Sequence, residues 1–315
     1  MKIVFCGSGR FGLPTLARLV GAGHEVVGVL TQPPRPAGRG GKVRPTPVSE
    51  AASERHLPAT PVADINDPAV VASIEAMDAD VMLVADFGQM IKAPARSATR
   101  CGAFNLHGSL LPALRGAAPI NWAIIRGLQR TGVTVFALLD RMDAGEIFSQ
   151  RETLIEPAET AEELEARLAA LGVQAVDETL AKLAAGADRG TPQDESLVTL
   201  APRLKKSDGR IDFAADAVAI RNLIHGSWPW PGGQARYEPA EGKGLDVTIA
   251  RAAVAEAAGQ AGPPGAVLGD LTIAAGAGRV EIVELKPAGK RRMAWRDFVN
   301  GHHVAPGARF VSVRG

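Results

Sequence analysis

The sequence predicts an α/β fold in which a doubly wound, mainly parallel sheet is followed by a small antiparallel β-barrel. Three observations lead to this prediction. Short apolar runs alternate with helical stretches up to residue 186, as in successive βαβ units. Residues 187–208 are polar and lack periodicity, which indicates a linker. Beyond them, short strand-like runs alternate with turns rich in glycine and proline, as in small barrels.

The strands of the first half are predicted from short apolar runs, typical of strands that are buried on both faces. They are Lys2 to Cys6, His24 to Leu30, Asp80 to Ala85, Ala103 to Leu106 and Val133 to Leu139. A helix is predicted near Leu13 to Val20. A longer helix begins at a capping box, Thr160 to Glu163, and keeps its apolar residues at near-helical spacing up to Ala184.

The predicted domains are therefore 1–186, which forms the doubly wound sheet, and 209–315, which forms the barrel. The linker over 187–208 is expected to be sensitive to proteases. Barrel strands are predicted at Asp246 to Ala250, Leu271 to Ala274 and Arg279 to Leu285. The run Ala252 to Gly265, rich in alanine and glycine, is predicted to be a mobile loop of the barrel domain.

Composition narrows the class of protein. Cys6 and Cys101 both lie in apolar, strand-like runs, so we expect buried free thiols in a reducing compartment rather than a disulfide framework. No apolar run reaches the ~18 residues of a membrane span, and a cytoplasmic protein is expected. The net charge is +1, so any contact with nucleic acid must come from local basic patches.

The turn from Gly7 to Gly12 (GSGRFG) matches the dinucleotide-binding fingerprint, since it follows a strand and opens a helix. In such a site an acid at the end of the second strand holds the ribose, whereas here that strand ends at Thr31 and Gln32. Arg35 or Arg39 could meet a 2′-phosphate instead, so an NADP site stays open. The favoured interpretation is a tight strand-to-helix turn.

Asn105 and His107 form the most informative polar pair. They lie on one face of a predicted strand, two residues apart at its carboxyl end, where open α/β sheets place their active sites. Gly108 follows and lets a ligand approach the backbone. A lone histidine is usually a packed or hydrogen-bonded residue, but this arrangement favours catalysis.

Asp143 follows the predicted strand Val133 to Leu139. If that strand neighbours the one that carries His107, Asp143 can reach the same crevice. The alternative is an ordinary turn aspartate close to Gly145, and the residues alone leave the two interpretations nearly even.

A basic loop extends from Gln32 to Pro45, with four positive charges and no acid on a backbone rich in glycine and proline. Its charged residues are Arg35, Arg39, Lys42 and Arg44. Such a loop suits a phosphate backbone. A solvated surface loop with incidental charge is the alternative.

Together these segments resemble the formyltetrahydrofolate-dependent formyltransferases, and the resemblance spans nearly the whole chain. The block Asn105 to Pro112 (NLHGSLLP) with a downstream Asp143 is specific to that superfamily. The other matching segments are Arg115 to Ile120, Asp143 to Gly145, Thr31 to Gly40, Arg210 to Phe213, Trp230 to Pro231 and Leu285 to Lys290. The resemblance implies a Rossmann-like catalytic domain followed by an OB-like β-barrel.

The resemblance also implies functional residues. The family's catalytic asparagine, histidine and aspartate fall on Asn105, His107 and Asp143. The implied co-substrate is 10-formyltetrahydrofolate, with no permanently bound cofactor and no metal. Its implied contacts are Ser109, Leu110, Leu111, Pro112, Phe87, Gly88 and Met90.

The basic loop and the second domain narrow the resemblance to the branch that formylates methionyl initiator tRNA. The implied tRNA contacts are Arg35, Arg39, Lys42 and Arg44, with Arg39 at the position of the family's most influential arginine. A monomer is expected.

Two departures from the family pattern bear on the folate site. Leu139-Asp140-Arg141 stands where the family usually has Asp-x-Gly, which is expected to change the path of the folate-binding loop. Asp86-Phe87-Gly88 replaces a tyrosine-glycine pair, and because Phe87 keeps the flat ring, pterin binding is expected to survive.

The residues leave other functions open. The same chemistry acts on glycinamide ribonucleotide or on amino sugars, and water in place of the amine gives a hydrolase. An NADP-dependent oxidoreductase has no use for Asn105 and His107. A tRNA-binding protein without catalysis is distinguished by whether it turns over the formyl donor.

Overall fold

The structure, a computed structural model, describes residues 1–37, 42–256 and 262–313. The chain divides into two compact units. Unit 1 comprises Met1–Pro119, Thr131–Thr153 and Glu165–Ala201, and unit 2 comprises Ile120–Arg130, Leu154–Leu164 and Pro202–Gly315. No described helix is long and apolar enough to cross a membrane. The domain boundaries expected from the sequence stay a prediction.

The elements up to residue 184 alternate between strands and helices. The strands are β1 (Lys2–Gly7), β2 (Glu25–Thr31), β3 (Arg35–Ala37), β4 (Lys42–Arg44), β5 (Ala59–Pro61), β6 (Val81–Ala85), β7 (Ala103–His107), β8 (Arg130–Ala137) and β9 (Ile147–Leu154). The helices are α1 (Leu13–Gly21), α2 (Pro47–Glu54), α3 (Pro68–Ala76), α4 (Ala93–Arg96), α5 (Pro119–Ile125) and α6 (Ala161–Ala184). The capping box predicted before α6 forms in one direction, because the Thr160 backbone N–H donates to Glu163 Oε2 at 2.9 Å and Thr160 Oγ1 donates to the same oxygen at 2.9 Å.

Seven strands form the central sheet, in the order β5-β2-β1-β6-β7-β8-β9. From β5 to β7 neighbouring strands are parallel, which confirms the mainly parallel prediction. Val84 pairs with both Cys6 and Asn105, so these three side chains share one face of the sheet. That face packs on a core cluster that includes Leu30 and Ile74.

The direction of β8 differs from the parallel βαβ pattern, because β8 runs antiparallel to β7. An apolar run predicts a buried strand but carries no information about its direction. The sequence also gave no signal for β9, which is partly polar and lies at the edge of the sheet. Cys101 was expected to be buried and is exposed, since it lies in the turn before β7 rather than in the strand.

Unit 2 contains the strands of the predicted barrel. They are β10 (Gly233–Glu238), β11 (Leu245–Val254), β12 (Ile273–Ala274), β13 (Arg279–Pro287), β14 (Met293–Ala294) and β15 (Arg309–Ser312), with helices α7 (Ala217–Ser227) and α8 (Trp295–His302). The order is β12-β13-β11-β10-β15, and β14 also pairs with β13. Of the predicted loop 252–265, residues 252–254 belong to β11, and residues 257–261 lie outside the described residues.

The sheet of unit 2 nearly closes on itself. The Gly265 backbone N–H donates to Ala274 in β12 at 2.7 Å, and the Gly265 carbonyl accepts from Phe310 in β15 at 2.7 Å. Both ends of the sheet are therefore bridged by one short segment, which confirms the barrel. Its interior is aromatic, with the rings of Tyr237 and Phe298 5.3 Å apart in an edge-to-face arrangement.

Candidate active site

His107 ends β7, and its side chain is 6% exposed. Its Nε2 lies 3.0 Å from the carbonyl oxygen of Leu114. Because a carbonyl can only accept, this contact assigns the proton to Nε2 and leaves a lone pair on Nδ1 in the neutral ring. Nδ1 faces Asp143 Oδ2 at 3.8 Å, which is too long for a hydrogen bond. The basic nitrogen of His107 is thus next to a carboxylate but is not engaged by it.

Asp143 is fixed by backbone contacts. Its Oδ2 accepts from the Gly116 N–H at 2.7 Å, and its φ is +51°, in the left-handed region. The loop that carries it begins where Leu138 donates to Ala103, at the far end of β7 from His107. The loop must therefore turn back along β7 to bring the carboxylate to His107. Adjacent strands alone do not produce this contact.

Asn105 lies two residues before His107 on the same face of β7 and is half-buried. Within residues 1–37, 42–256 and 262–313, no protein group hydrogen-bonds to its side-chain amide. The two N–H groups of this amide are therefore available to a ligand. Asn105, His107 and Asp143 thus form one cluster that contains a hydrogen-bond donor, a base and an anion.

The loop after β7 is held by a buried threonine. Thr134 Oγ1 donates to the Ser109 carbonyl at 2.7 Å and accepts from the Leu111 N–H at 3.1 Å. Gln150 Nε2 donates to the Leu111 carbonyl at 2.7 Å. The backbone of the loop is therefore fixed before any ligand arrives.

Four of the expected folate contacts, Ser109 to Pro112, lie in this loop, and they alternate between buried and partly exposed side chains. Ser109 and Leu111 are buried, and Ser109 Oγ donates to the Ala113 carbonyl at 2.6 Å. Leu110 and Pro112 are partly exposed. Leu110 and Pro112 are the side chains that a ligand can touch, whereas Ser109 and Leu111 shape the loop.

The loop after β6 contains the other expected folate contacts. Phe87 is 2% exposed and packs in the core cluster with Cys6 and Leu30, so its flat ring is not an open surface. Gly88 is exposed with φ +79°, and Met90 is 46% exposed. The accessible parts of this loop are the Gly88 backbone and the Met90 side chain.

The glycine turn packs against Asp86 in that loop. The Ser8 N–H donates to the Asp86 carbonyl at 3.0 Å, and a Cβ added to Gly9 would lie 1.6 Å from Asp86 Oδ2. A carboxylate thus lies directly against the second glycine of the fingerprint, which in a dinucleotide site leaves room for the pyrophosphate. This negative charge disfavours the NADP site and favours the tight-turn interpretation.

Asp86 has an unusual electrostatic setting. The residue as a whole is exposed, but its carboxylate lies against Gly9, and desolvation raises its pKa to about 6. The folded protein therefore holds this proton more tightly than the unfolded chain. The resulting stabilisation is present below about pH 4 and is lost as the pH rises through about 6.

We expect Asp86→Asn to raise the free energy of unfolding at neutral pH. Asparagine tolerates the left-handed φ of +48° and cannot acquire the desolvated charge. For a fully desolvated carboxyl with such a pKa shift, the gain in the free energy of unfolding would be about 3 kcal/mol. Solvent screening of the Asp86 carboxylate reduces the expected gain to about 1 kcal/mol. Calorimetric unfolding of both proteins from about pH 4 to 8 measures the difference. A stability difference that does not grow with pH would contradict the assignment.

The basic loop begins and ends in a two-stranded ribbon. Arg35 of β3 pairs directly with Arg44 of β4, and both are exposed. Like charges at opposed positions destabilise a ribbon, and a bound polyanion would relieve that repulsion. Arg39 and the side chain of Lys42 lie outside the described residues.

Sequence reasoning missed Leu114 and Gly116, which contact His107 and Asp143 through backbone atoms. A backbone contact leaves no residue signature. For Gly116 the residue type itself is an indirect signal, because only glycine fits there: a Cβ would lie 2.5 Å from the Ala201 carbonyl oxygen.

Two family models match the chain. Residues 1–180 match the model described as formyl transferase, and residues 203–303 match the model described as formyl transferase, C-terminal domain. The first model alone covers more than half of the 315 residues.

Relatives of known name are similar over nearly the full length. The methionyl-tRNA formyltransferase of Solibacter usitatus is 42% identical over 306 residues, which cover 96% of each chain. That of Acidobacterium capsulatum is 42% identical over 314 residues, 98% of this chain and 99% of the other. Among solved structures, HypX from Aquifex aeolicus in complex with tetrahydrofolic acid matches with a TM-score of 0.63 at 18% identity. The match covers 95% of this chain and 47% of HypX, so this chain spans about half of that protein's length.

Proposed function

The chain belongs to the formyl transferase family, and we propose that it transfers the formyl group of 10-formyltetrahydrofolate to the α-amino group of methionyl initiator tRNA. The observation that carries the proposal is the convergence of Asn105, His107 and Asp143 in a chain that matches methionyl-tRNA formyltransferases from end to end. The product serves the initiation of translation.

The proposed chemistry begins with attack of the neutral amine on the formyl carbon. The carbonyl oxygen becomes an oxyanion and the attacking nitrogen becomes positively charged. The free amide of Asn105 is placed to donate to that oxyanion, and one such donor contributes ~3 kcal/mol to the lowering of the barrier. The oxyanion then re-forms the carbonyl as the bond from the formyl carbon to the folate nitrogen breaks, and the electron pair of that bond goes to the nitrogen, which takes up a proton from solvent.

His107 is proposed to move the proton. Its Nδ1 lone pair accepts the proton of the positively charged amine, because Nε2 is already committed to Leu114. The resulting imidazolium lies beside the Asp143 carboxylate. Once His107 Nδ1 and Asp143 Oδ2 move slightly closer than their present 3.8 Å, Nδ1–H can donate to Oδ2. Asp143 thus stabilises the charge that His107 acquires in the reaction.

A competition between acceptors tests the function. The protein is incubated with a labelled 10-formyl donor and, separately, methionyl initiator tRNA, glycinamide ribonucleotide or a nucleotide-linked amino sugar. We expect label on the tRNA at the highest kcat/KM and essentially none on the other two. Faster labelling of either small acceptor, or release of free formate alone, would refute the tRNA assignment. Nicotinamide reduction by the same protein would support the oxidoreductase instead.

The remaining parts of the proposal follow from the same function. We propose a cytoplasmic monomer in which residues 1–186 carry the chemistry and residues 209–315 contribute to tRNA binding. The basic loop supports a tRNA contact through the exposed pair Arg35 and Arg44. Phosphate recognition of this kind is independent of base sequence.

We expect Arg39→Ala to lower kcat/KM for the tRNA by about 10-fold or more, and to leave the affinity for the formyl donor intact. The loss of one phosphate contact also lowers the slope of log affinity against log salt by about 1. Steady-state kinetics at several salt concentrations measure both quantities.

Arg100→Ala is the matched control. Arg100 precedes the amino-terminal end of β7, whereas the basic loop follows the carboxyl end of β2, and Arg100 pairs with Asp78 and Asp80. It is expected to keep wild-type tRNA kinetics. Normal tRNA kinetics of Arg39→Ala at physiological salt would remove the basic loop from tRNA binding. Weakened binding of NADP with unchanged tRNA kinetics would assign the loop to a nucleotide.

A further inference from the structure

Part of the polar stretch predicted as a linker belongs to unit 1 and is hydrogen-bonded to the loop after β7. We name residues 191–201 the connector. Arg115 donates its N–H to the Thr199 carbonyl at 2.9 Å and accepts from the Ala201 N–H at 2.7 Å. The Leu114 N–H donates to Thr199 Oγ1 at 2.9 Å. The connector therefore fixes the backbone on both sides of Arg115.

That backbone is the one that holds the catalytic side chains. The Leu114 carbonyl orients His107, and the Gly116 N–H orients Asp143. Because the two contacts come from residues on either side of Arg115, a shift of this short segment moves both side chains. The connector thus acts on His107 and Asp143 through one intermediate segment.

Gln193 of the connector also reaches the Asp143 loop directly. Its Nε2 donates to the carbonyls of Asp143 at 2.9 Å and Gly145 at 2.8 Å. Its Oε1 accepts from Arg115 Nε at 3.1 Å and Nη2 at 2.8 Å. Every hydrogen-bonding position of this amide is used, which rigidly links the loop to Arg115.

Charged contacts complete the same link. Arg115 is 5% exposed, and its Nη2 pairs with Glu195 Oε1 at 2.9 Å. Arg141 Nη2 pairs with Glu195 Oε2 at 2.8 Å. Arg141 stands where the family pattern has the glycine of Asp-x-Gly, so this departure ties the loop that carries Asp143 to the connector.

We propose that Gln193 is a positioning residue for the formyl transfer proposed above. It holds the Asp143 backbone in the left-handed conformation that aims Oδ2 at His107 Nδ1. A non-glycine residue in that region costs energy and persists only where surrounding contacts determine it. Gln193 supplies two such contacts, one of them to Asp143 itself. The proposal rests on the proposed function, because the rate of transfer is its readout.

Gln193→Glu keeps the acceptor side of the Gln193 amide and removes its donor side. The glutamate still accepts from Arg115, but it cannot donate to the carbonyls of Asp143 and Gly145 and repels them instead. We expect kcat to fall about 10- to 100-fold, as for other residues that orient a catalytic group. KM for the tRNA and for the formyl donor should change less than about 3-fold. Single-turnover and steady-state kinetics on the full-length chain measure these effects.

Ser196→Ala is the matched control in the connector, because exposed Ser196 bonds only locally to Asp194 among the described residues. It should keep wild-type kcat. Gln193→Met is the second variant, since it keeps the length of the side chain and removes all four hydrogen bonds. Its kcat should fall at least as far as that of Gln193→Glu, with cooperative unfolding retained.

A double-mutant cycle with Asp143→Asn gives the decisive readout. If Gln193 acts through Asp143, adding Gln193→Glu to Asp143→Asn lowers kcat by less than about 3-fold. Independent, multiplicative effects would overturn the proposal, as would wild-type kcat in a folded Gln193→Glu protein. Loss of folding in both Gln193 variants would overturn it too, because the residue would then be structural. A wild-type protein that transfers no formyl group to the tRNA would instead refute the proposed function.

Discussion

The His107→Ala protein is expected to transfer formyl groups about 1,000-fold more slowly than wild type, with a nearly unchanged affinity for the formyl donor. The contact that His107 contributes develops only as the amine acquires positive charge, so its loss raises the barrier and leaves ground-state binding intact. The imidazole is 6% exposed and packs edge-on against Phe136 with centroids 6.3 Å apart, so the variant also leaves a small cavity. Its unfolding temperature must therefore be measured together with kcat.

His107→Asn distinguishes proton transfer from hydrogen bonding. Its amide can still donate or accept, but it cannot carry a proton from the amine to solvent. We expect its kcat to be as low as that of the alanine variant. A folded His107 variant with more than about a tenth of wild-type turnover would remove His107 from the reaction.

Asp143→Asn is expected to lower kcat about 100-fold or more and to change the pH dependence of kcat/KM. The asparagine oxygen can keep the contact with the Gly116 N–H, so the loop should remain in place. The negative charge beside His107 Nδ1 is lost, and a neutral amide oxygen takes its place. The variant thus removes the charge that stabilises the imidazolium formed in the reaction.

Asp140→Asn is the matched control, since it changes an aspartate of the same loop whose side chain is 79% exposed and pairs with Arg96. We expect its kcat to stay within about 2-fold of wild type. An Asp143→Asn protein with an unchanged pH–rate profile would mean that Asp143 is only a turn residue. Equal losses in the two variants would assign the effect to the loop rather than to the charge.

The sequence predicted four of the parallel strands, β1, β2, β6 and β7, because each is a short, continuous apolar run between turn signals. It missed the parallel edge strand β5, whose three residues, Ala59–Pro61, form no apolar run. It also predicted that Asn105 and His107 share a face at the end of β7, since side chains alternate along any strand. It placed Asp143 near them only on the condition that β7 and β8 are neighbours. The strands are neighbours, but β8 is antiparallel, and a loop that turns back along β7 makes the contact.

The composition likewise predicted which residues form the basic loop, but it did not predict which of them pair across the β3–β4 ribbon. The sequence showed a glycine- and proline-rich loop with four positive charges. The structure shows that Arg35 and Arg44 face each other across a short antiparallel ribbon. Register depends on which backbone groups pair, and no side-chain pattern in a three-residue strand encodes it.

The class of fold, the family and the proposed catalytic residues could all be predicted from the sequence, because apolar periodicity and local motifs act over a few residues. How the candidate site is held depends on tertiary contacts. The contacts of Leu114, Gly116 and Gln193 with the site are hydrogen bonds to or from main-chain groups. Such contacts join segments up to 50 residues apart and depend on backbone position. Local sequence patterns do not record that position, so a polar stretch that reads as a linker becomes part of the active-site support.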